Sequence, residues 1–144
     1  MKLQEKLNVF VANQTVLYTK LHNLHWYVTG PTFFVLHAKF EELYDETTEV
    51  MDEVAERLLA IGGKPVASLK EVLALTTIQE FVGKDIVGKD AVQVILADYK
   101  ALLKDAKELR NLAAEADDPS TEDLFIGYRA NYEKTIWMLE ALLK

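Results

Sequence analysis

Residues 36–61 read LHAKFEELYDETTEVMDEVAERLLAI, and Gly62-Gly63-Lys64-Pro65 follow them directly. Apolar residues recur in this stretch at steps of three, four and seven, which is the spacing of one face of an α-helix. They are Leu36, Phe40, Leu43, Val50, Val54, Leu58 and Ile61. Glycine commonly ends a helix, and proline cannot continue one. The stretch therefore predicts one uninterrupted amphipathic helix that stops at the two glycines.

One long helix precedes this one, and a crossover follows it. Apolar residues from Leu3 to Leu24 have helical spacing, and this first helix is predicted to end near Thr29-Gly30-Pro31. Residues 66–90 hold a short apolar patch from Leu69 to Leu75, followed by two threonines and two glycines. This composition predicts a crossover, long enough to traverse a bundle, with a short helix inside it.

Two more long helices complete the chain. The third carries its apolar residues between Val92 and Ala113, and the fourth follows the turn Asp117-Asp118-Pro119-Ser120. The fourth helix is predicted to carry the apolar residues Leu124, Phe125, Tyr128, Tyr132, Trp137 and Leu142. No stretch alternates as a strand does. Four helices with one long crossover between the second and third predict an all-α, ferritin-like four-helix bundle with a short helix in that crossover.

The bulk composition excludes several classes of protein. A chain of 144 residues is long enough for one domain, residues 1–144, with a sizeable core. The 23 acidic and 16 basic residues give a net charge of −7, and the bases are scattered, so nucleic acid is not the expected partner. The absence of cysteine excludes disulfides and thiolate metal sites. Without an apolar signal core or a membrane segment, we expect a soluble cytoplasmic protein.

Two histidines and three carboxylates are candidate metal ligands: His25, His37, Glu41, Asp52 and Glu56. Glu41 and Asp52 are 11 residues apart on one helix, about 16 Å, so a single chain cannot gather them around one ion. Two copies of this helix, packed antiparallel about a two-fold axis near residues 46 and 47, would bring His37 and Glu41 of one copy opposite Asp52 and Glu56 of the other. Imidazoles and carboxylates without thiolate suit iron or another first-row divalent ion.

The same residues have more ordinary interpretations. Residues 41–56 hold eight acids and no base, and at about 100° per residue they span roughly 140° of the helix, which is typical of a solvated face. Like charges at this density repel unless cations offset them, and bound metal would do so. A lone histidine is more often a core residue than a ligand, but a turn at Gly30-Pro31 can bring His25 and His37 to one place.

The neighbours of these histidines add two further expectations. No histidine has a glutamate three residues before it, so an interior di-iron site built on Glu-x-x-His motifs is not expected. His22, one turn before His25, is a candidate neighbour of the metal site. Trp26 is interpreted as core or interface packing, with electron donation to an oxidising metal as the alternative.

The segments His22-x-x-His25-Trp26, Gly30, Phe33, His37, Asp52-x-x-x-Glu56-Arg57 and Gly62-x-x-Pro65 resemble the signature of the Dps miniferritins, the DNA-binding proteins from starved cells. The resemblance spans essentially the whole chain. It implies a hollow shell of twelve subunits whose ferroxidase sites, at two-fold interfaces, oxidise Fe(II), preferably with hydrogen peroxide, and deposit ferric mineral inside. The competing interpretation is a non-catalytic shell that stores cations or serves as structure.

The resemblance also assigns the ligands to subunits. His25 and His37 would come from one subunit, and Asp52 and Glu56 from its two-fold mate. Glu41 stands where the family usually has aspartate, which is one methylene shorter. Whether Glu41 binds a second, weaker iron directly or through water stays open at this point.

A second acidic cluster, Asp117, Asp118, Glu122 and Asp123, opens the fourth helix. One interpretation is capping and a favourable contact with the helix dipole. The other follows from the resemblance, in which acidic pores at three-fold axes admit Fe(II). Relatives that bind DNA directly often carry a lysine-rich tail, whereas this sequence starts within two residues of the first helix and ends at Lys144. We therefore expect weak or no direct DNA binding, and protection of DNA by consumption of iron and peroxide.

Overall fold

A computed structural model describes residues 2–144. Its elements, in chain order, are α1 (Leu3–Tyr27), β1 (Val28–Thr29), α2 (Phe33–Ala60), α3 (Leu69–Leu75), β2 (Ile86–Val87), α4 (Gly88–Glu115) and α5 (Pro119–Leu143). The hairpin of α1 and α2 packs against the hairpin of α4 and α5, and this confirms the predicted four-helix bundle with a short helix in the crossover. No helix within residues 2–144 has the length and apolar character needed to cross a membrane.

The core lies where the helical periodicity predicted it. Phe10, Phe40 and Phe125 are almost completely buried, and the rings of Phe10 and Phe125 meet edge to face at 5.1 Å. Burying a side chain of this size contributes roughly 1.5–3 kcal/mol. Trp137 and Leu142 lie on α5 as predicted and remain 64% and 39% exposed. The buried face at this end of α5 carries Ile136 and Leu139, and Trp137, five residues after Tyr132, points about 140° away from Tyr132.

The crossover lies against α1 and reaches α4 from there. Ser68 is the N-cap of α3, and its hydroxyl accepts a hydrogen bond from the backbone N–H of Glu71 at 3.3 Å. Val72 of α3 packs into a small cluster with Val16 of α1 and Ile78. Val72 is therefore the part of α3 that anchors the crossover to the bundle.

Two short strands, which the sequence analysis did not foresee, join the crossover to the α1–α2 loop. Val28 pairs with Ile86, and Thr29 pairs with Val87, in parallel register. Two residues per strand are too few to show an alternating pattern. The pairing fixes the loop that follows His25 against the segment that enters α4.

Gly88, the first residue of α4, allows a close approach between this segment and the start of α2. A Cβ placed on Gly88 would lie 2.3 Å from Oγ1 of Thr32 and 2.9 Å from Cδ1 of Leu36. Both distances are shorter than a normal van der Waals contact. Glycine is required here because the start of α2, which carries His37, packs against the backbone of residue 88.

We expect Gly88→Ala to lower the free energy of unfolding by about 1–3 kcal/mol, the usual cost of overpacking. Gly127→Ala is the matched control, because nothing lies within 4 Å of a Cβ at that position in α5. The control should be neutral or more stable by about 0.5–1 kcal/mol. Denaturant unfolding at one protein concentration measures both. A Gly88→Ala midpoint equal to that of the parent would contradict the packing argument.

Candidate metal centre

His25 and His37 hold each other through two reciprocal hydrogen bonds. His25 Nδ1 donates to the backbone carbonyl of His37 at 2.6 Å, and His37 Nδ1 donates to the carbonyl of His25 at 2.8 Å. The rings stack with centroids 3.7 Å apart and planes 11° apart. A carbonyl can only accept, so both Nδ1 atoms carry the proton and both Nε2 atoms present a lone pair. This tautomer is the one that a neutral histidine needs to bind a metal through Nε2.

Glu41, one helical turn after His37, points its carboxylate toward the same place. Its Oε1 lies 3.9 Å from Nε2 of His25. The His25 side chain is 8% exposed and that of Glu41 is 55% exposed. The buried ring of His25 therefore lies on the inner side of the cluster, and Glu41 lies on the outer side, which faces away from the bundle.

Asp52 and Glu56 lie on the exposed surface of α2, far along the helix from the histidines. Within residues 2–144, no group of three or more histidine, aspartate or glutamate side chains is close enough to hold a metal ion. The structure thus pairs His25 with His37 and places Glu41 3.9 Å from His25, and it leaves the other two predicted ligands apart. Their separation agrees with the helical rise, which puts Asp52 about 16 Å from Glu41.

The eight acids of α2 divide into two edges. Glu46 accepts a hydrogen bond from Asn131 and Glu53 accepts one from Tyr128, so this edge lies over α5. Burial, with Glu42 and Glu49 nearby, raises the pKa of Glu46. The other edge carries the acids that point away from α5: Glu41, Asp45, Asp52 and Glu56. These four are exposed in the single chain, and the predicted ligands belong to this edge.

An aromatic group beside the histidines was only partly foreseen. His22, predicted as a neighbour, stacks on Tyr44 with centroids 3.7 Å apart, and Tyr44 meets His25 edge-on at 5.4 Å. Tyr44 was missed, although its position seven residues after His37 puts both on one face of α2. Desolvation and the carboxylates of Glu41 and Asp45 raise the pKa of the Tyr44 phenol.

Trp26 does not pack in the core. Its side chain is 66% exposed, and its ring lies 5.5 Å from that of His22. The core interpretation of this residue was therefore wrong, because the α1 face that carries it points away from the bundle. Packing in an interface and electron donation remain predictions.

Residues 4–144 match the family model of the ferritin-like domain. The DNA protection during starvation protein 2 of Bacillus anthracis is 50% identical over 139 residues, which cover 96% of this chain and 94% of the relative. The chain belongs to the Dps family. A crystal structure of a Dps protein from Bacillus brevis matches this Dps chain with a TM-score of 0.95 and 45% identity, over 99% of this chain and 95% of the other.

A Dps protein from Vibrio cholerae O1 is 36% identical to this Dps chain, with a TM-score of 0.94 over 99% of this chain and 89% of the other. It is described as a member of the ferritin-like diiron-carboxylate proteins. The predicted ferritin-like fold and the Dps resemblance are thereby confirmed. The family supports iron binding, iron storage and protection of DNA in general terms.

The acidic cluster at the start of α5 has a structural role in this Dps chain. Asp118 is the N-cap of α5, and its carboxylate accepts hydrogen bonds from the backbone N–H of Thr121 at 3.1 Å and from Nη2 of Arg57 at 3.0 Å. Glu122 pairs with Arg110 at 3.1 Å. Capping is confirmed for Asp118, and Arg57 is a partner that the sequence did not reveal. The ion entrance remains a prediction.

We expect Asp118→Ala to lower the free energy of unfolding by about 1–2 kcal/mol at pH 7, the usual cost of losing an N-cap. Burial disfavours the charged carboxylate, but the hydrogen bonds from Thr121 and the charge of Arg57 outweigh it and lower the pKa of Asp118. A lowered folded-state pKa stabilises the fold above the unfolded value near about 3.9 and loses that effect as the pH falls through the folded value.

Denaturant unfolding at pH 7 and at pH 3 therefore tests this assignment. The difference between parent and Asp118→Ala should shrink at the lower pH, whereas Asp123→Ala, an exposed residue in the same turn, should have a small effect at both. Equal losses for the two variants at pH 7 would contradict the assigned capping role.

Proposed function

We propose that this chain is a ferroxidase of the iron-storage type. As a single domain over residues 1–144, it would oxidise Fe(II), preferably with hydrogen peroxide, and store ferric mineral in a hollow shell of twelve copies. The observation that carries the proposal is the imidazole pair of His25 and His37, fixed with both Nε2 atoms available and with Glu41 at 3.9 Å. Iron is the substrate and the stored cargo.

The two remaining ligands would come from a second copy. A two-fold axis between residues 46 and 47 relates position 41 to position 52 and position 37 to position 56. The same axis relates Phe34, which is 84% exposed, to Leu59, which is 59% exposed. Exposed apolar side chains at both ends of the acidic edge support an antiparallel contact of α2 with its symmetry mate, because each would cover the other.

Each ligand has a distinct part in the proposed site. His25 and His37 supply neutral nitrogen donors, while Asp52 and Glu56 of the second copy offset the charge of Fe(II). The 3.9 Å separation between Glu41 and His25 favours direct binding by Glu41, since the longer side chain reaches the imidazole edge without an intervening water. Two irons side by side would give peroxide its two electrons together, so no hydroxyl radical would leave the site.

Hybrid particles test the shared site. One variant carries His25→Ala and His37→Ala, and the other carries Asp52→Asn and Glu56→Gln. Each should lose most of its peroxide-driven Fe(II) oxidation in stopped-flow measurements. In co-expressed particles of both, half of the interfaces are mixed and each mixed interface holds one intact site. About a quarter of the parent activity should therefore return.

A site contained in one chain would give no recovery in the hybrids. Variants that each oxidise Fe(II) as fast as the parent would instead favour passive cation storage in a non-catalytic shell. The parent should also react faster with hydrogen peroxide than with dissolved oxygen at equal concentration. Native mass measurements on every particle confirm that assembly is unchanged.

The exposed acids Asp117 and Asp123 are proposed to attract Fe(II) at a three-fold entrance. The double variant Asp117→Asn, Asp123→Asn avoids Asp118 and Glu122, which hold the fold. It should slow Fe(II) uptake at low ionic strength and approach the parent at high salt, where charges are screened.

The control for the entrance changes the same number of charges elsewhere, with Asp85→Asn and Asp90→Asn, both exposed. Equal slowing by control and variant would show an effect of net charge alone and would remove the entrance from the proposal. Unchanged uptake in the entrance variant would do the same.

Protection of DNA is proposed to be chemical, through removal of iron and peroxide in the bacterial cytoplasm. The net charge of −7 opposes contact with a phosphate backbone, so direct DNA binding would be weak or absent. The relative from Bacillus anthracis carries DNA protection in its name, and consumption of the two reactants would supply that protection without contact.

A further inference from the structure

Tyr44 occupies a special place among the aromatic side chains around the proposed site. It lies edge-on to His25 at 5.4 Å, its face stacks on His22 at 3.7 Å, and Tyr18 lies 5.9 Å away. The ring of Trp26 reaches the cluster through His22, at 5.5 Å. Tyr44 is thus the oxidisable ring in contact with an imidazole whose Nε2 is available to a metal.

The number of electrons that peroxide accepts differs from the number that one Fe(II) supplies. This difference gives the contact of Tyr44 with His25 a chemical role, provided that the proposed ferroxidase function holds. Hydrogen peroxide accepts two electrons, whereas a site that holds one Fe(II) supplies one. Of this chain's own donors, the imidazole pair offers the first iron two fixed nitrogens, whereas Glu41 offers the second iron a single carboxylate. Sites with a single iron will therefore be common when iron is scarce.

We propose that Tyr44 supplies the second electron when peroxide meets a site with one Fe(II). Fe(II) is oxidised to Fe(III), the phenol of Tyr44 is oxidised to a tyrosyl radical, and the O–O bond of peroxide breaks. The phenol proton joins one of the two hydroxides formed, which gives one water and one hydroxide. Charge and atoms balance, and no hydroxyl radical is released.

The surroundings of Tyr44 suit this role. Glu41 comes three residues before Tyr44 on α2, and its Oε1 lies 3.9 Å from Nε2 of His25, so a carboxylate near both rings can carry the phenol proton toward the reacting oxygens. His22 is held by a hydrogen bond from its Nδ1 to the carbonyl of Tyr18 at 2.8 Å. The fixed, stacked imidazole keeps the ring of Tyr44 in place while it carries the unpaired electron.

The test uses assembled particles that hold one Fe(II) for every two proposed sites, mixed without oxygen with an equal amount of peroxide and frozen within seconds. Electron paramagnetic resonance should then detect a tyrosyl radical. Tyr44→Phe should lower this signal at least five-fold and raise the yield of spin-trapped hydroxyl radical several-fold. Tyr18→Phe and Tyr27→Phe, which lie outside contact with His25, should resemble the parent.

Ring-deuterated tyrosine in the parent gives a readout that needs no variant, because it narrows a tyrosyl signal and leaves a tryptophanyl signal unchanged. A signal that survives in Tyr44→Phe, or that Trp26→Phe removes instead, overturns the proposal. A parent that oxidises Fe(II) rapidly but yields no radical overturns it too and leaves the ferroxidase function intact. A parent that does not accelerate Fe(II) oxidation shows that the proposed function itself has failed.

Discussion

The two hydrogen bonds between His25 and His37 are the constraint on which the chemistry of the molecule depends. They join the end of α1 to the first turn of α2, orient both rings and set both tautomers. Turning either ring over would leave an Nδ1–H and a carbonyl without partners, at a cost of about 1–3 kcal/mol for each buried group. The bonds that close the first helical hairpin therefore also orient the two nitrogens that we propose as iron donors. A ligand arranged by folding loses little entropy when it binds a metal.

Much of the fold could be predicted because helical periodicity is a local property. The apolar patch from Leu69 to Leu75 forms the short helix that was predicted in the crossover, and the long helices follow their apolar residues. The strand pairs of Val28 with Ile86 and Thr29 with Val87 could not be predicted, since pairing depends on residues 58 positions apart. The exposure of Trp137 follows from the same periodicity, because Ile136 and Leu139 continue the buried face of α5 and Trp137 lies off it.

The candidate site was predictable to a similar extent and for similar reasons. Residue type and spacing identified His25, His37 and Glu41, and in the structure His25 contacts His37 and lies 3.9 Å from Glu41. The distance between Glu41 and Asp52 along α2 followed from the helical rise alone. The contact of Tyr44 with His22 joins two different helices, so no pattern within one segment could reveal it. The tautomers also depended on carbonyls that only the folded loop presents.

The proposed pairing would couple assembly and iron binding through the exposed edge of α2. In the proposed pairing, the carboxylates of two copies face each other, and their repulsion opposes the contact until cations are bound. Phe34 and Leu59, at the two ends of that edge, offer apolar area that favours the contact without metal. Iron that binds the paired form more tightly than the single chain must stabilise the pair by the same free energy. In the proposed pairing, the apolar ends would therefore let the interface form before iron binds, and the acids between them would then bind iron.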